Sequence, residues 1–319
     1  MTRMAIVGAL LLAACGGSNV AQNPTNSNPS NPGTPGQSPS LSGCSVFPAD
    51  NAWNRDISGA DVALERHSTA WVNSIGANTA FHPDFGLNFG IPYATANAST
   101  PKVPITFEDW GYGDESDPGP YPIPPDASVE GGSDAHVIVV DLSSCTLYEL
   151  ANAYKEGNGW TASCGAKFDL KSNALRPDGW TSADAAGLPI FAGLARYDEV
   201  AAGEIHHALR FTAARTQKGY VYPATHAAGS TSDENVPPMG ARARLKASVD
   251  ISQMTRQAQV VARALKKYGI ILADNGSSIG NWFVTGAPDS RWDDEDLNAL
   301  KQLHGKDFEF VETGPVTPQ

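Results

Sequence analysis

Apolar and polar residues alternate through the middle of the chain with a period of two, which predicts strands. Residues 136–142, His-Val-Ile-Val-Val-Asp-Leu, form a nearly unbroken β-branched run. Such a run predicts a strand covered on both faces. Ser143-Ser144 predicts a turn and 146–154 the returning strand. Gly157-Asn158-Gly159 turns the chain again before Trp160, so the region reads as a meander. Residues 204–212 predict a further strand, with Ile205, His207, Leu209 and Phe211 on one face and His206, Ala208 and Arg210 on the other. The cleanest alternation is 241–249. There Ala241, Ala243, Leu245, Ala247 and Val249 oppose Arg242, Arg244, Lys246 and Ser248.

Helical spacing is rarer. Asp250 is placed to cap a helix over 250–268, with Met254, Ala258, Val261 and Leu265 on one stripe and Gly269 to end it. Asp293, Asp294 and Glu295 favour the start of a last helix carrying Leu297, Leu300 and Leu303. A short helix over 69–75 ends at Gly76. Many strands with a few peripheral helices predict a mainly β fold, a single β-sandwich or jelly-roll-like domain over 44–319.

The N-terminus changes the picture. One basic residue, Arg3, precedes an apolar run from Ala5 to Leu11 and then Leu12-Ala13-Ala14-Cys15. A membrane-spanning helix needs about 20 apolar residues, and this run has the length of a secretory core instead. Residues 1–14 are expected to be a lipoprotein signal peptide, with the lipid placed on the Cys15 thiol; an ordinary signal peptide containing a cysteine is the plainer alternative. Gly16 in place of an aspartate favours the outer membrane or cell surface. Residues 16–43 are mostly Gly, Ser, Asn, Pro, Thr and Gln, too polar to offset the entropy of ordering, and predict a flexible tether.

The net charge of −12 is spread along the chain and argues against nucleic acid, which requires a basic footprint. Export permits a disulfide among Cys44, Cys145 and Cys164, and both Cys44–Cys145 and Cys145–Cys164 are open. No serine elbow, zinc-protease helix, phosphate loop or Cys-x-x-Cys occurs, and no cofactor is implied.

Several polar groupings carry the candidate chemistry. His82 and Asp84, then Glu130, Asp134 and His136, place histidine near carboxylate, suiting a charge pair or a metal corner. Pairs alone assign no metal, and an ordinary surface ion pair is the bland reading. His206 and Arg210 share a strand face, His207 reads as core, and His226 completes the histidines. Arg242, Arg244 and Lys246 form a cationic strip, to be offset by neighbouring acids or by an anionic ligand held in guanidinium forks. Acid–base carboxylates are plentiful, among them Glu115, Asp117, Asp169, Asp184, Asp198, Glu199 and Asp274. Trp53, Trp110, Trp160, Trp180, Trp282 and Trp292 lie near turns, either as packing residues or as sugar platforms. The polar stretch 175–189 is long enough for a functional loop, and 272–276 reads as a strand leaving into an Asn-Gly turn.

The phrases Glu115-Ser116-Asp117-Pro118-Gly119-Pro120-Tyr121-Pro122, Trp180-Thr181-Ser182-Ala183-Asp184-Ala185-Ala186-Gly187-Leu188-Pro189 and Ala273-Asp274-Asn275-Gly276 resemble those of a family of secreted bacterial lipoproteins of unknown activity. The resemblance spans about 44–311 and implies no reaction. The residues themselves predict a surface-tethered enzyme cleaving an anionic polysaccharide by hydrolysis or elimination. Its catalytic set is His206, Arg210, His226, Arg242 and Arg244, with Lys246, Trp180 and Asp184 binding substrate. A non-catalytic glycan-binding or envelope-scaffold lipoprotein is the alternative. Convergence of a histidine, an arginine and a carboxylate in one cleft separates the two.

Overall fold

The β-branched run is where the two main hydrophobic clusters of the fold meet. Every residue of Val137–Asp141 is buried. Ile138 and Val140 enter the larger cluster, while Val137 and Val139 enter a second one with Tyr121, Leu150 and Trp160. A strand with both faces covered gains nothing from polar alternation, hence the continuous Val/Ile sequence.

The computed structural model describes residues 32–87, 89–276 and 280–319. The expected signal peptide, Cys15 and much of the tether lie outside them. The protein is mainly β, with short peripheral helices and a sandwich-like arrangement of sheets. The two larger sheets are built from His82–Asp84 (β1), Tyr93–Ala96 (β2), Val137–Asp141 (β3), Thr146–Ala151 (β4), Cys164–Asp169 (β5), Leu209–Thr212 (β6), Arg242–Leu245 (β7), Ile270–Asp274 (β8), Phe283–Thr285 (β9) and Phe308–Val311 (β10). The four-stranded sheet has the order β5-β4-β3-β2 and the six-stranded sheet the order β10-β7-β8-β6-β9-β1. β3 and β4 pair antiparallel as expected, but the third antiparallel strand is β5; the Trp160 segment expected there lies in a separate sheet. β6 and β8 are parallel neighbours. Ile138, Val140, Leu147 and Phe168 from the first sheet share one core with Leu209, Phe211, Ala243 and Phe310 from the second.

The expected strand 146–154 stops at Ala151, because Asn152 takes a positive φ of 48°. The chain then starts a separate hairpin, Tyr154–Glu156 with Gly159–Ala162, through the glycine turn. The strand expected over 241–249 is shorter, ending at Leu245. The helix expected over 250–268 begins later, as Arg256–Lys267. Asp250 instead caps a turn, accepting the Ser252 N–H at 2.9 Å. Gly269, at φ 72°, follows the helix as expected. Ser68–Ile75 ends at Gly76, and Asp293 caps Asp294–Leu297 by accepting the N–H groups of Glu295 and Asp296.

Cys44 is disulfide-bonded to Cys145, and Cys164 is a buried free thiol. Of the two pairings left open by the sequence, Cys44–Cys145 is formed and holds the start of the expected domain to the β3–β4 turn. The described part of the expected tether is itself paired, Thr34 with Asp56 and Ser40–Leu41 with Cys44–Ser45.

Candidate active site

The loop over 181–189 folds inward because its polar groups find partners there. Ser182 Oγ donates to the Leu188 carbonyl at 2.6 Å and accepts the Asp184 N–H at 2.9 Å. The Ala186 N–H donates to the Ala273 carbonyl at 2.9 Å. Arg176 clamps the outer side, donating to Asp117 and to the carbonyls of Glu115 and Thr181. The Thr181 N–H donates to Glu115 Oε2. The segments around Glu115, Ser182 and Asp274 therefore meet at one place in the fold.

At its centre is a buried ion pair. Arg210, near the middle of β6, donates from Nε and Nη2 to the two oxygens of Asp184 at 2.8 and 2.6 Å. Its Nη1 donates to Thr285 Oγ1 at 2.9 Å. The fork geometry matches the carboxylate, so both charges are satisfied although both are almost wholly buried. Buried to this degree, neither is open to a ligand.

Asp274 is different. A bulge between β6 and β8 pairs Phe211 with Leu272 and then Thr212 with Asp274, passing over Ala273. Such bulges re-aim side chains at strand ends. The Asp274 carboxyl is 27 % exposed, with one oxygen 3.7 Å from Arg210 Nη2 and the other accepting the Asn275 N–H at 2.7 Å. Burial, and then the charge of Asp184, push its pKa up to about 7, against the opposing pull of Arg210 and the Asn275 N–H. It is therefore a carboxyl poised between its two protonation states near neutrality.

Asp274 opens into a cavity of about 240 Å³ that His136, Asn275, Ser182, Asp134, Tyr112 and His226 also line. His226 Nδ1 lies 2.7 Å from the Ala185 carbonyl. A carbonyl only accepts, so Nδ1 carries the hydrogen and Nε2 keeps a lone pair in the neutral ring. Tyr112 packs edge-on against that ring, with centroids 6.4 Å apart. His136 has the opposite character. Its Nδ1 meets Glu130 Oε2 at 2.5 Å and its Nε2 the Ala183 carbonyl at 3.0 Å. Burial pulls its pKa down, but the hydrogen bond and charge of Glu130 outweigh this and the net shift is upward. With both nitrogens engaged, His136 positions the Ala183 turn rather than exchanging a proton with a ligand.

The residues expected from sequence to form the site divide sharply. Arg210, Asp184 and His226 come together here, with Arg210 and Asp184 beneath the cavity and His226 in its wall. Trp180 sits in the adjoining loop, its ring 5.6 Å from the Arg176 guanidinium and not part of the cavity wall. His206 does not share a strand face with Arg210, because the strand expected over 204–212 begins only at Leu209. Its ring lies by Glu204 and the Tyr268 hydroxyl. The cationic strip is not a strip. Arg242 is buried and donates to the carbonyls of Ala52, Arg55 and Tyr268. Arg244 is taken up by Glu309 and the carbonyls of Ile57 and Gly59. Lys246 donates to the Lys306 carbonyl. These cations close the fold and offer no anion site. His207, with Glu199 and the Ala208 carbonyl on its two nitrogens, belongs to the core.

Neither a protein-family profile, a curated protein nor a solved structure matches this chain. The assignment therefore rests on side-chain chemistry. Three larger clefts, of about 610, 660 and 650 Å³, also open on the surface, the first lined by Glu65, Arg66, His67 and Glu234 and the second by His82, Asp84 and Lys301. The first holds His67 and Glu234 at 3.9 Å and the second His82 and Asp84 at 3.0 Å. Among the described residues no group of three or more His, Cys, Asp or Glu could hold a metal ion.

The sequence offers Asp274 as one of many acid–base carboxylates and its segment as an Asn-Gly turn, without singling it out. The signal that marks it is a carboxylate ending an otherwise wholly apolar strand, Ile270-Ile271-Leu272-Ala273. Tyr112, Asn152 and Ser163 carry no comparable signal, since only the fold brings them to the same wall.

Proposed function

We propose that the chain is an acid–base enzyme that hydrolyses glycosidic linkages, held at the cell surface through lipid on Cys15. One observation carries the reading: a raised-pKa carboxyl, Asp274, and an imidazole with its Nε2 lone pair free, His226, face one cavity. Groups of this kind divide the work of bond cleavage. Protonated Asp274 gives its proton to the glycosidic oxygen as the bond to the anomeric carbon breaks. His226 Nε2 takes a proton from the water whose oxygen bonds to that carbon. Hydrolysis is favoured over elimination because neutralising a uronate needs a cation. Among the described residues no lysine or arginine lines the cavity, and Arg210 is buried beneath it with its guanidinium turned to Asp184 and Thr285. The lipid anchor and export rest on the N-terminal pattern alone.

The test is a reducing-end assay of the full chain across a polysaccharide panel, repeated with Asp274→Asn. The expected result is cleavage that falls by about 10²–10⁴-fold in the variant, the usual worth of a positioned acid or base, with an unchanged circular dichroism spectrum. Undiminished turnover in the variant removes the acid–base assignment. Tight binding without cleavage in either form leaves the glycan-binding alternative in its place.

A further inference from the structure

Beside the cavity mouth, the turn over 108–112 lies along the edge of Gly159–Ala162. The Glu108 N–H donates to the Ala162 carbonyl and the Tyr112 N–H to the Ser163 carbonyl. A side chain at Gly111 would collide with the Ser163 carbonyl oxygen, so glycine lets the turn sit flat there. Around it are three of the most exposed aromatic residues of the described chain: Trp110 at 68 %, Tyr112 at 50 % and Tyr154 at 48 %. Tyr154 is tied to the turn, its hydroxyl donating to Glu108 Oε1 at 2.5 Å. Most other tryptophans, including Trp53, Trp71, Trp160 and Trp282, are buried, as packing requires. An indole left in water forgoes the gain of burial, and exposed aromatics gathered on one turn and the hairpin it borders mark recognition surfaces.

We propose that Trp110 and Tyr154 form a sugar-stacking shelf that continues the cavity outward, and that the chain it receives is an uncharged or amino-bearing polysaccharide. This deepens the glycosidase reading and rests on it for the direction of the chain. The aromatic faces suit the C–H faces of pyranose rings, and the surrounding acceptors suit their hydroxyls. Charge selects the substrate class. Glu108, Asp109 and Asp114 flank the shelf, and Asp134 and Asp274 line the cavity. Lys155, the nearest cation along the hairpin, has its ammonium on the Pro125 carbonyl and over the Trp160 ring. Uronates and sulfated sugars would meet carboxylates, and among the described residues no cation lines the cavity to offset them. Hydroxyl and ammonium donors would be accepted.

The experiment is a binding titration of the full chain with two sets of oligosaccharides. One comprises disaccharides and hexasaccharides of glucose, mannose, xylose, N-acetylglucosamine and glucosamine; the other comprises oligogalacturonates and sulfated galactans. At least one hexasaccharide of the first set is expected to bind, and Trp110→Ala to weaken it about tenfold. Disaccharide affinity should fall less than hexasaccharide affinity, because the shorter ligand reaches less of the shelf. Tyr154→Ala serves as the second variant and should weaken the hexasaccharide in the same direction. Unchanged hexasaccharide affinity in both variants, tighter binding of the anionic set, or no binding by any member of the first set overturns the shelf. Trp110-dependent binding without cleavage sinks the hydrolase reading and leaves the shelf standing; hexasaccharide cleavage indifferent to Trp110 does the reverse.

Discussion

Arg210→Met, with Asp184 left in place, is expected to destabilise the protein by about 3–5 kcal/mol in a denaturant titration, the usual cost of stranding one member of a buried ion pair. Asp184 is 1 % exposed and its two oxygens depend on Arg210. Without the guanidinium its charge stays buried or the carboxyl takes up a proton. The double variant Arg210→Met with Asp184→Leu should recover most of the loss, because two apolar side chains need no partners. A fall in the single variant no larger than that of an exposed arginine, or no recovery in the double, would show that the pair is not the buried centre described here. Arg210 also opposes ionisation-lowering burial at Asp274. Its loss should therefore push the Asp274 pKa higher still.

Reducing or replacing the Cys44–Cys145 bond should have an effect of similar size. The bond closes a loop between residues 101 apart in sequence, and the chain-entropy relation gives about 4–5 kcal/mol for such a loop. Cys44→Ser with Cys145→Ser is expected to lower the denaturation midpoint accordingly. A wild-type protein equally stable with and without reductant would mean the bond contributes nothing. Cys164→Ala separates the alternatives, since that thiol is free and should leave the response to reductant intact.

Much of the fold was legible because its strands obey burial rules that read directly from side chains. The run at β3 announced a strand covered on both faces, and Asp293 and Gly76 marked helix ends. Other elements were misread where local polarity gave no warning of tertiary partners. The residues over 241–249 look like a half-exposed strand with a cationic face. Yet Arg242 is buried because three backbone carbonyls, contributed by residues as distant as Ala52, converge on its guanidinium. No local pattern encodes that convergence. For the site, sequence found Arg210, Asp184 and His226 but grouped them with the wrong companions, since His206 and the 242–246 cations do not line the cavity. Asp274 stood among seven candidate carboxylates with nothing to set it apart. Its character comes from a bulge and from a neighbouring carboxylate some ninety residues earlier, neither of which alternation reveals.

The most direct measurement is the titration of the Asp274 carboxyl carbon by nuclear magnetic resonance, assigned with Asp274→Asn. The midpoint is expected at about 7, raised from the ordinary value of 3.8 by burial and the charge of Asp184. A raised acid binds its proton more tightly in the folded chain. Its contribution to stability is therefore complete below 3.8 and lost as pH climbs through about 7. A midpoint near 7 confirms a carboxyl able to give up a proton at neutral pH inside the cavity. A midpoint near 3.8 would mean Asp274 is always ionised there, and the proton donor on which the glycosidase reading depends would not exist.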